Sequence, residues 1–434
     1  MTNEQNLIRA RHAESLANDI SDFITQSNSD LHQAVQAELA ELDTSGGASA
    51  VVLGSASSTV DGSLWLEGEN YSPVVKLFSD GNVYTFQTQP DFNLVNYSTA
   101  TVGANVTISN DNTYFVGSAY NDSIDVQSAR DTIICGEGND YVVCYNSSAS
   151  SAYIEGTAGN NEIRIPSNNT VICGSDNNTV EIFDGGSFNY IDARMGTNYI
   201  GSFGSNVTDN TIICGAGNDT VKFLYSAARN YFNVGAGDNY ISCSSGEDNT
   251  IVCGTGNNLI NVRGSNPKIY CGTGNDSISS RATGIFIDAN SGSNTISVSG
   301  GSGTVYGGSG NDSIYVNSGY TVYSGSGNNT IQARGNPELH FETGTNNISC
   351  SSNNGTSVEI FGFKNSDTLK TSSSLNSSIL DNSQSLITLM FQLGATRKST
   401  VTLLDYTAEQ FHISAADVDG VYTIQGSKLV PAGS

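Results

Sequence analysis

A single apolar slot recurs along more than half of this chain, at intervals of 17 to 21 residues. Every occupant is β-branched, Gly lies four residues earlier in nearly every copy, and Asp or Asn lies two residues earlier. A period near 20 is the sequence signature of a solenoid, in which each coil buries its apolar side only against its neighbours. The slot holds Ile124, Val142, Ile163, Val180, Ile200, Val221, Ile241, Ile260, Ile278, Ile296, Ile314, Ile331 and Ile348.

One copy, GGSGNDSIY from Gly307 to Tyr315, shows how a coil is built. Its Gly and Asn residues tolerate the positive φ of a tight turn. The alternation from Ile314 to Val316 then predicts a short strand with every second residue inward. A second loop and a second short strand, ending at Val322, complete the coil. The pattern predicts an all-β parallel β-roll, or β-solenoid, of about 18-residue coils over residues 101–356.

This copy matches the nonapeptide G-G-x-G-x-D-x-U-x without a mismatch. The copies that begin at Cys135, Cys214 and Cys271 match it with Cys in place of the first Gly. In these residues the chain resembles the RTX, or hemolysin-type calcium-binding, repeat proteins. It departs from them by carrying one nonapeptide per coil instead of two, with an irregular second loop.

The resemblance implies calcium between stacked turns, held by backbone carbonyls and by the Asp carboxylates of the motif, which are hard oxygen ligands. Most copies carry Asn instead, ending with Asn347 in the last copy, and an Asn ladder satisfies itself through hydrogen bonds along the stack. Two interpretations therefore stay open. The ladder is purely structural, or it binds calcium at weak or partial occupancy. The best candidate calcium site is the one where turn 117–122 lies over turn 135–140. The candidate metal ligands are Asp122, Asp140, Asp219, Asp276 and Asp312.

The eight cysteines share two slots of the repeat, both of inward parity. This register predicts buried free thiols that behave as small hydrophobic residues, and it disfavours disulfides or metal sites. Cys253 and Cys271 lie in adjacent coils and form the best candidate pair for a disulfide. Unpaired cysteines fit folding in a reducing compartment.

The flanking segments predict separate parts. Residues 1–44 carry apolar residues at three- and four-residue steps, which predicts a helix for attachment or oligomerisation, and residues 45–60 form a Ser/Gly/Ala linker. The sequence of residues 61–100 predicts a small β module with a hairpin around Asp80-Gly81. The stretch GSLWLEGENYSPVVKLFSDG within it resembles a module of bacteriophage fibre and virion proteins. Residues 357–434 predict a β-rich cap, because an open solenoid end exposes strand edges and core.

Charge and composition exclude several classes of function. The net charge of −25 argues against nucleic-acid binding. No apolar run of 18 residues occurs, which predicts no membrane span. The four histidines lack the spacing of metal ligands, and we predict no enzymatic activity. The less favoured alternative is glycan cleavage by outward acids such as Glu155, Glu162 and Glu181. Outward tyrosines, among them Tyr306, Tyr315 and Tyr323, fit either a saccharide-binding stripe or cross-strand packing.

The sequence thus predicts a structural and interaction protein. The favoured hypothesis is a bacteriophage virion appendage, a fibre or decoration protein, whose solenoid projects outward to contact a host or the surroundings. Its expected partners are copies of itself, joined through the N-terminal helix, other virion proteins, and a host-surface glycan or protein. The alternative is a bacterial calcium-binding protein of the cell surface or medium, secreted by a leaderless type I route, since the N-terminus lacks the apolar core of a signal peptide.

Overall fold

The computed structural model describes most of the predicted solenoid and parts of the segments on either side. All secondary-structure elements in the described residues are β-strands. These residues form no helix that is long and apolar enough to cross a membrane. The described residues divide into two compact units: an N-terminal unit that ends at Gly235 and a C-terminal unit that begins at Ala236. The described residues are 51–52, 74–77, 83–86, 93–97, 100, 102–109, 111–145, 149–156, 158–351, 357–364, 366–371, 375–381, 386–393, 397–404, 411–413 and 422–426.

The N-terminal unit consists of two parallel sheets. β1 and the even-numbered strands form its first sheet, and the odd-numbered strands from β3 onward form its second sheet. Each coil contributes one strand to each sheet, as the sequence predicts. The strands are β1 (Val51–Val52), β2 (Val74–Leu77), β3 (Val83–Phe86), β4 (Asn93–Asn96), β5 (Asn105–Ile108), β6 (Thr113–Val116), β7 (Ser123–Val126), β8 (Thr132–Ile134), β9 (Tyr141–Cys144), β10 (Tyr153–Gly156), β11 (Glu162–Ile165), β12 (Thr170–Cys173), β13 (Thr179–Ile182), β14 (Tyr190–Ala193), β15 (Tyr199–Ser202), β16 (Thr211–Cys214), β17 (Thr220–Phe223) and β18 (Tyr231–Gly235).

The C-terminal unit, described by itself, shows the same alternation of strands between two sheets. Its first sheet contains the even-numbered strands from β20 to β32, and its second sheet contains the odd-numbered strands from β19 to β33. The strands are β19 (Tyr240–Cys243), β20 (Thr250–Cys253), β21 (Leu259–Val262), β22 (Lys268–Tyr270), β23 (Ser277–Ser280), β24 (Ile285–Asp288), β25 (Thr295–Val298), β26 (Gly303–Tyr306), β27 (Ser313–Val316), β28 (Tyr320–Tyr323), β29 (Thr330–Arg334), β30 (Glu338–His340), β31 (Asn347–Ser351), β32 (Ser357–Phe361), β33 (Thr368–Thr371), β34 (Leu375–Asp381), β35 (Leu386–Leu393), β36 (Arg397–Leu404), β37 (Phe411–Ile413) and β38 (Tyr422–Gly426).

The β-branched residues of the repeat stack directly on one another. In the C-terminal unit Ile278 pairs with Ile260 on one side and with Ile296 on the other, and Ile296 pairs with Ile314. All four are at most 1% exposed. Their burial in register confirms the predicted solenoid and the predicted inward face, because a slip of one residue would turn this column outward.

Glycine at the turns is required by the closeness of neighbouring coils. Gly310 has φ +123°, and a Cβ atom placed on it would lie 2.0 Å from the carbonyl oxygen of Gly292 in the preceding coil. Gly292 and Gly274 repeat this arrangement one and two coils earlier. The spacing of these coils in the C-terminal unit therefore excludes a side chain at Gly274, Gly292 and Gly310. In two turns of the N-terminal unit the equivalent position holds Tyr120 and Asp176 instead.

The strands before residue 100 join the solenoid. β2 pairs in parallel with β4, and β3 pairs in parallel with β5. The hairpin predicted around Asp80-Gly81 is therefore wrong, because β2 and β3 lie in different sheets. The helix predicted over residues 1–44 lies outside the described residues, and so does most of the linker. The predicted domain boundaries stay predictions.

The C-terminal end changes from parallel to antiparallel pairing. β36 pairs in parallel with β32 and then continues into the antiparallel strands β35 and β34. β38 lies antiparallel to β33, and β37 lies antiparallel to β38. This arrangement agrees with the predicted β cap, since antiparallel hairpins end the parallel stack.

The cysteines follow the predicted parity. All eight are buried free thiols, including the candidate pair Cys253 and Cys271. Burial raises the pKa of the Cys243 thiol to about 12, as it does for Cys350. These side chains fill the core as small apolar groups.

Candidate functional site

The Asp or Asn two residues before each apolar anchor forms a buried row, which we call the inner ladder. Within two runs, Asp122 to Asp219 and Asn239 to Asn329, the backbone N–H of each member donates to the Oδ1 atom of the next member along the chain. The N–H of Asp276 donates to Asn294 (2.9 Å), and the N–H of Asn294 donates to Asp312 (2.8 Å). The side chain of the repeated residue therefore forms a hydrogen bond between successive coils. Its members are Asp122, Asp140, Asn161, Asn178, Asn198 and Asp219 in the N-terminal unit, and Asn239, Asn258, Asp276, Asn294, Asp312, Asn329, Asn346 and Asp367 in the C-terminal unit.

The last members of the inner ladder differ from the sequence prediction. Asn346, and not Asn347, holds the ladder position: its Oδ1 accepts from Nδ2 of Asn329 (3.0 Å), and its N–H donates to Asp367 (2.7 Å). Asn347 begins strand β31 instead. Asp367 extends the ladder one coil past Ile348, the last apolar anchor that the sequence identifies. In this coil the anchor position holds Leu369, which is not β-branched and pairs with Ile348.

A second row lies one residue earlier, on the exposed side of the turn, and runs in the opposite direction. The N–H of Asn139 donates back to Oδ1 of Asn121 (2.8 Å), and the N–H of Asn275 donates back to Oδ1 of Asn257 (2.8 Å). Each turn is thus tied to the coil after it through the inner ladder and to the coil before it through this outer row.

A third row occupies the second loop of the N-terminal unit, which the sequence analysis described as irregular. There the N–H of Asn169 donates to Oδ1 of Asn189 (2.9 Å), that of Asn189 to Asn210 (2.9 Å), and that of Asn210 to Asn230 (3.0 Å). The description as irregular is wrong for these coils. An Asn directly before a strand, at steps of about 20 residues, is the signal that reveals this row.

Among the five predicted metal ligands, Asp122 has protein donors on both of its carboxylate oxygens. Oδ1 of Asp122 accepts from the N–H of Ala104 (2.6 Å) and the hydroxyl of Ser118 (2.7 Å), and Oδ2 accepts from the N–H of Ser118 (2.7 Å). Oδ1 of Asp219 accepts from the backbone and side chain of Asn198. Oδ1 of Asp276 accepts from the backbone N–H and from the side chain of Asn258, both at 2.8 Å.

Asp140, Asp276 and Asp312 differ from Asp122. Each has one carboxylate oxygen, Oδ2, that is buried and has no hydrogen-bond donor among the described residues. Burial is the main cause that raises the pKa of Asp140 to about 7 and the pKa of Asp312 to about 6. In these turns one oxygen of the charged carboxylate therefore has no stabilising donor, and a proton or a cation would supply one.

The turn that contains Asp312 packs closely around this oxygen. Position one of its motif is Gly307, and a Cβ atom placed there would lie 2.9 Å from Oδ2 of Asp312. In the turn of Asp140 the same position holds the buried Cys135. A hard cation such as Ca²⁺ fits an oxygen placed among turn carbonyls. The described residues contain no group of three His, Cys, Asp or Glu side chains able to hold a metal ion, so backbone carbonyls would have to supply most of the ligands.

Two segments, residues 108–142 and 288–320, match the model of the RTX calcium-binding nonapeptide repeat. The first contains Asp122 and Asp140, and the second contains Asp312. No curated protein and no solved structure matches the chain. The matched repeats and the parallel coils define the class of protein: an RTX-like β-roll.

The outward acids considered for glycan cleavage divide between the two sheets. Glu162 and Glu181 both bind Arg164 in the second sheet, at 2.6 and 2.9 Å. Glu155 lies in the first sheet, where it accepts from the hydroxyl of Tyr153 (3.2 Å). The acids therefore form separate ion pairs and hydrogen bonds on different faces.

The outward aromatic residues of the C-terminal unit form a row on its first sheet. The rings of Tyr306 and Tyr323 lie 4.6 Å apart at an angle of 7°, and Tyr323 stacks on His340 at 4.5 Å. Because these rings cover each other's faces, the contacts favour the cross-strand packing interpretation over a saccharide-binding stripe. Tyr315 lies in the second sheet, where Arg334 covers it. The complete row is Tyr270, Phe286, Tyr306, Tyr323, His340 and Phe361.

We predict that, in the presence of a chelator, the protein is more stable at pH 5 than at pH 8. A carboxyl group whose pKa is raised in the folded state stabilises it fully below its ordinary pKa near 4. That contribution is lost as the pH rises through the folded value, here about 6 for Asp312 and about 7 for Asp140. We expect on the order of 2 kcal/mol for Asp312. Thermal melts from pH 4 to 8 measure the slope, and Asp312→Asn should reduce it. Equal stability across this range would contradict the prediction.

Proposed function

We propose that this chain is a structural and interaction protein whose β-roll serves as a scaffold. The observation that carries the proposal is the inner ladder, because the residue that the sequence repeats most faithfully is the one that binds one coil to the next. Coils that are bonded to one another in this way form a continuous surface, and solenoid proteins use such surfaces to contact partners.

We further propose that the scaffold takes up calcium at a small number of turns, with Asp140 and Asp312 as the principal ligands. Their unpartnered, buried carboxylate oxygens support this assignment, and so does the match of their segments to calcium-binding repeats. Both oxygens of Asp122 already accept hydrogen bonds, and Asp276, whose Oδ2 is also unpartnered, lies outside the matched segments, so we expect these two to contribute less. When bound, the ion would supply the positive charge that the turns of Asp140 and Asp312 lack.

For the biological setting, we propose a bacteriophage virion appendage. The support is the predicted layout of the sequence: a helix for attachment, a linker, and a stretch resembling phage fibre modules before the solenoid. The second candidate, a calcium-binding surface or extracellular protein secreted by a type I route, is favoured by the match to RTX repeats.

One experiment distinguishes these settings. The full chain is expressed without any exporter, and its mass in solution is measured with and without millimolar calcium. A folded trimer or other homo-oligomer that dissociates when residues 1–44 are removed supports the virion proposal. A monomer that stays unfolded until calcium is added contradicts it and supports the secreted alternative.

We expect the protein to keep its β structure in an excess of chelator, because most ladder positions carry Asn, which needs no ion. Far-ultraviolet circular dichroism measures this directly. Calcium should raise the melting temperature only modestly, and Asp140→Asn with Asp312→Asn should abolish that increase. A random-coil spectrum in chelator would show that the ladder depends on the metal.

A further inference from the structure

Each asparagine of the inner ladder carries an amide nitrogen, Nδ2, where an aspartate carries its second oxygen. In Asn198 this nitrogen donates to the backbone carbonyls of Ala193 (2.9 Å) and Met195 (2.8 Å) in its own turn. In Asn294 it donates to the carbonyls of Ala289 (3.3 Å) and Gly292 (3.5 Å). The amide group thus binds carbonyl oxygens that point into the turn.

The next coil adds a further oxygen at the same place. Nδ2 of Asn258 donates to the carbonyl of Gly256 (3.2 Å) and to Oδ1 of Asp276 in the following coil (2.8 Å). Nδ2 of Asn239 likewise donates to Gly237 (3.1 Å) and to Oδ1 of Asn258 (3.0 Å). The nitrogen therefore lies where turn carbonyls and a ladder oxygen converge, which is the kind of ligand set that Ca²⁺ takes in proteins.

Asp140 and Asp312 show what happens without the amide hydrogens. The atom in the place of Nδ2 is then Oδ2, which is buried and has no donor among the described residues. An oxygen that faces other oxygens needs a proton or a cation between them.

We propose that each inner-ladder asparagine takes the place of a metal ion, its amide nitrogen binding the oxygens that a cation would otherwise bind. Replacing such an asparagine by aspartate should then convert its turn into a divalent-cation site. The choice of calcium as the cation rests on the function proposed above, whereas the geometry of the amide does not depend on it.

Asn294 offers the sharpest test, because its inner-ladder neighbours in the coils before and after are Asp276 and Asp312. Asn294→Asp keeps the Oδ1 acceptor for the N–H of Asp276 and replaces the NH2 group by an oxygen, which removes two donor hydrogens and adds a negative charge. The titratable groups nearest along the chain and the ladder are Asp276, Asp288 and Asp312.

Calcium binding by isothermal titration calorimetry and thermal melts in chelator, in calcium and at pH 5 are measured on the full chain. We expect Asn294→Asp to melt below the wild type in chelator at neutral pH. It should recover in calcium, where it binds a further ion per chain, and also at pH 5, where the new carboxyl group carries a hydrogen to donate.

The matched control is Asn275→Asp in the exposed outer row, where Oδ1 accepts the N–H of Ser293 (2.7 Å). It adds the same charge one coil away, and we expect neither a further ion nor a recovery in calcium. An Asn294→Asp protein that ignores calcium, that stays unfolded in calcium and at pH 5, or that behaves like the control would overturn the inference. If the wild type binds no calcium but Asn294→Asp does, the proposed calcium-binding turns fail and the inference stands.

Discussion

Substituting Ile278 by Asp should unfold at least the neighbouring coils of the C-terminal unit, with a loss of about 4 kcal/mol or more in the free energy of unfolding. Ile278 is 1% exposed and pairs in register with Ile260 and Ile296. A carboxylate in this column would have no partner and no access to water. Chemical denaturation followed by circular dichroism measures the loss.

The matched control for this substitution is Ser279→Asp, one residue further along the same strand. Ser279 is exposed and points outward, so the same charge should change the free energy of unfolding by about 0.5 kcal/mol or less. If Ile278→Asp and Ser279→Asp unfold at the same denaturant concentration, the inward face of the strand is assigned wrongly.

Substituting Gly310 by Ala should destabilise the C-terminal unit by about 3 kcal/mol, although it adds only one methyl group. The residue has φ +123°, and the new Cβ atom would lie 2.0 Å from the carbonyl oxygen of Gly292. Relief of this contact requires the two coils to move apart, which weakens the hydrogen bonds of the ladder beside it. Thermal and denaturant unfolding measure the effect.

Gly300→Ala separates the steric contribution from the conformational one. Gly300 also has a positive φ, +74°, but nothing lies within 4 Å of an added Cβ atom. Only the cost of a left-handed backbone remains, about 1–2 kcal/mol. Equal losses for the two variants would mean that coil spacing does not restrict the turn at Gly310.

The column of β-branched residues was predictable because period, turn chemistry and strand alternation all point to one arrangement. Ile260, Ile278, Ile296 and Ile314 recur at steps of 18, and each is preceded by a Gly that the turn requires. When local and long-range signals agree in this way, the sequence specifies the fold without further information. The parity of the eight cysteines followed from the same register.

Other features were not predictable, because they depend on which atoms meet between coils. The Asn169, Asn189, Asn210 and Asn230 row was missed, since its loops vary in length and only the residue before each strand recurs. The pairing of β2 with β4 was missed because Asp80-Gly81 is a strong local hairpin signal, which the longer-range parallel pairing overrides.

The candidate site was predictable as a set of residues but not as a chemical state. Asp122 and Asp140 hold the same position of the repeat, yet Ser118 supplies two donors to Asp122 while Oδ2 of Asp140 has none among the described residues. Whether a carboxylate is satisfied depends on the neighbours in its own turn and in the preceding coil, such as Ser118 and Ala104 for Asp122.

The central claim is that equivalent residues of successive coils lie directly over one another. Methyl–methyl nuclear Overhauser effects in a protein labelled at isoleucine methyl groups test it most directly. The account predicts contacts from Ile278 to Ile260 and Ile296, and from Ile296 to Ile314, but not from Ile260 to Ile314. Absence of the contacts between adjacent coils, or contacts that skip a coil, would contradict the parallel stack.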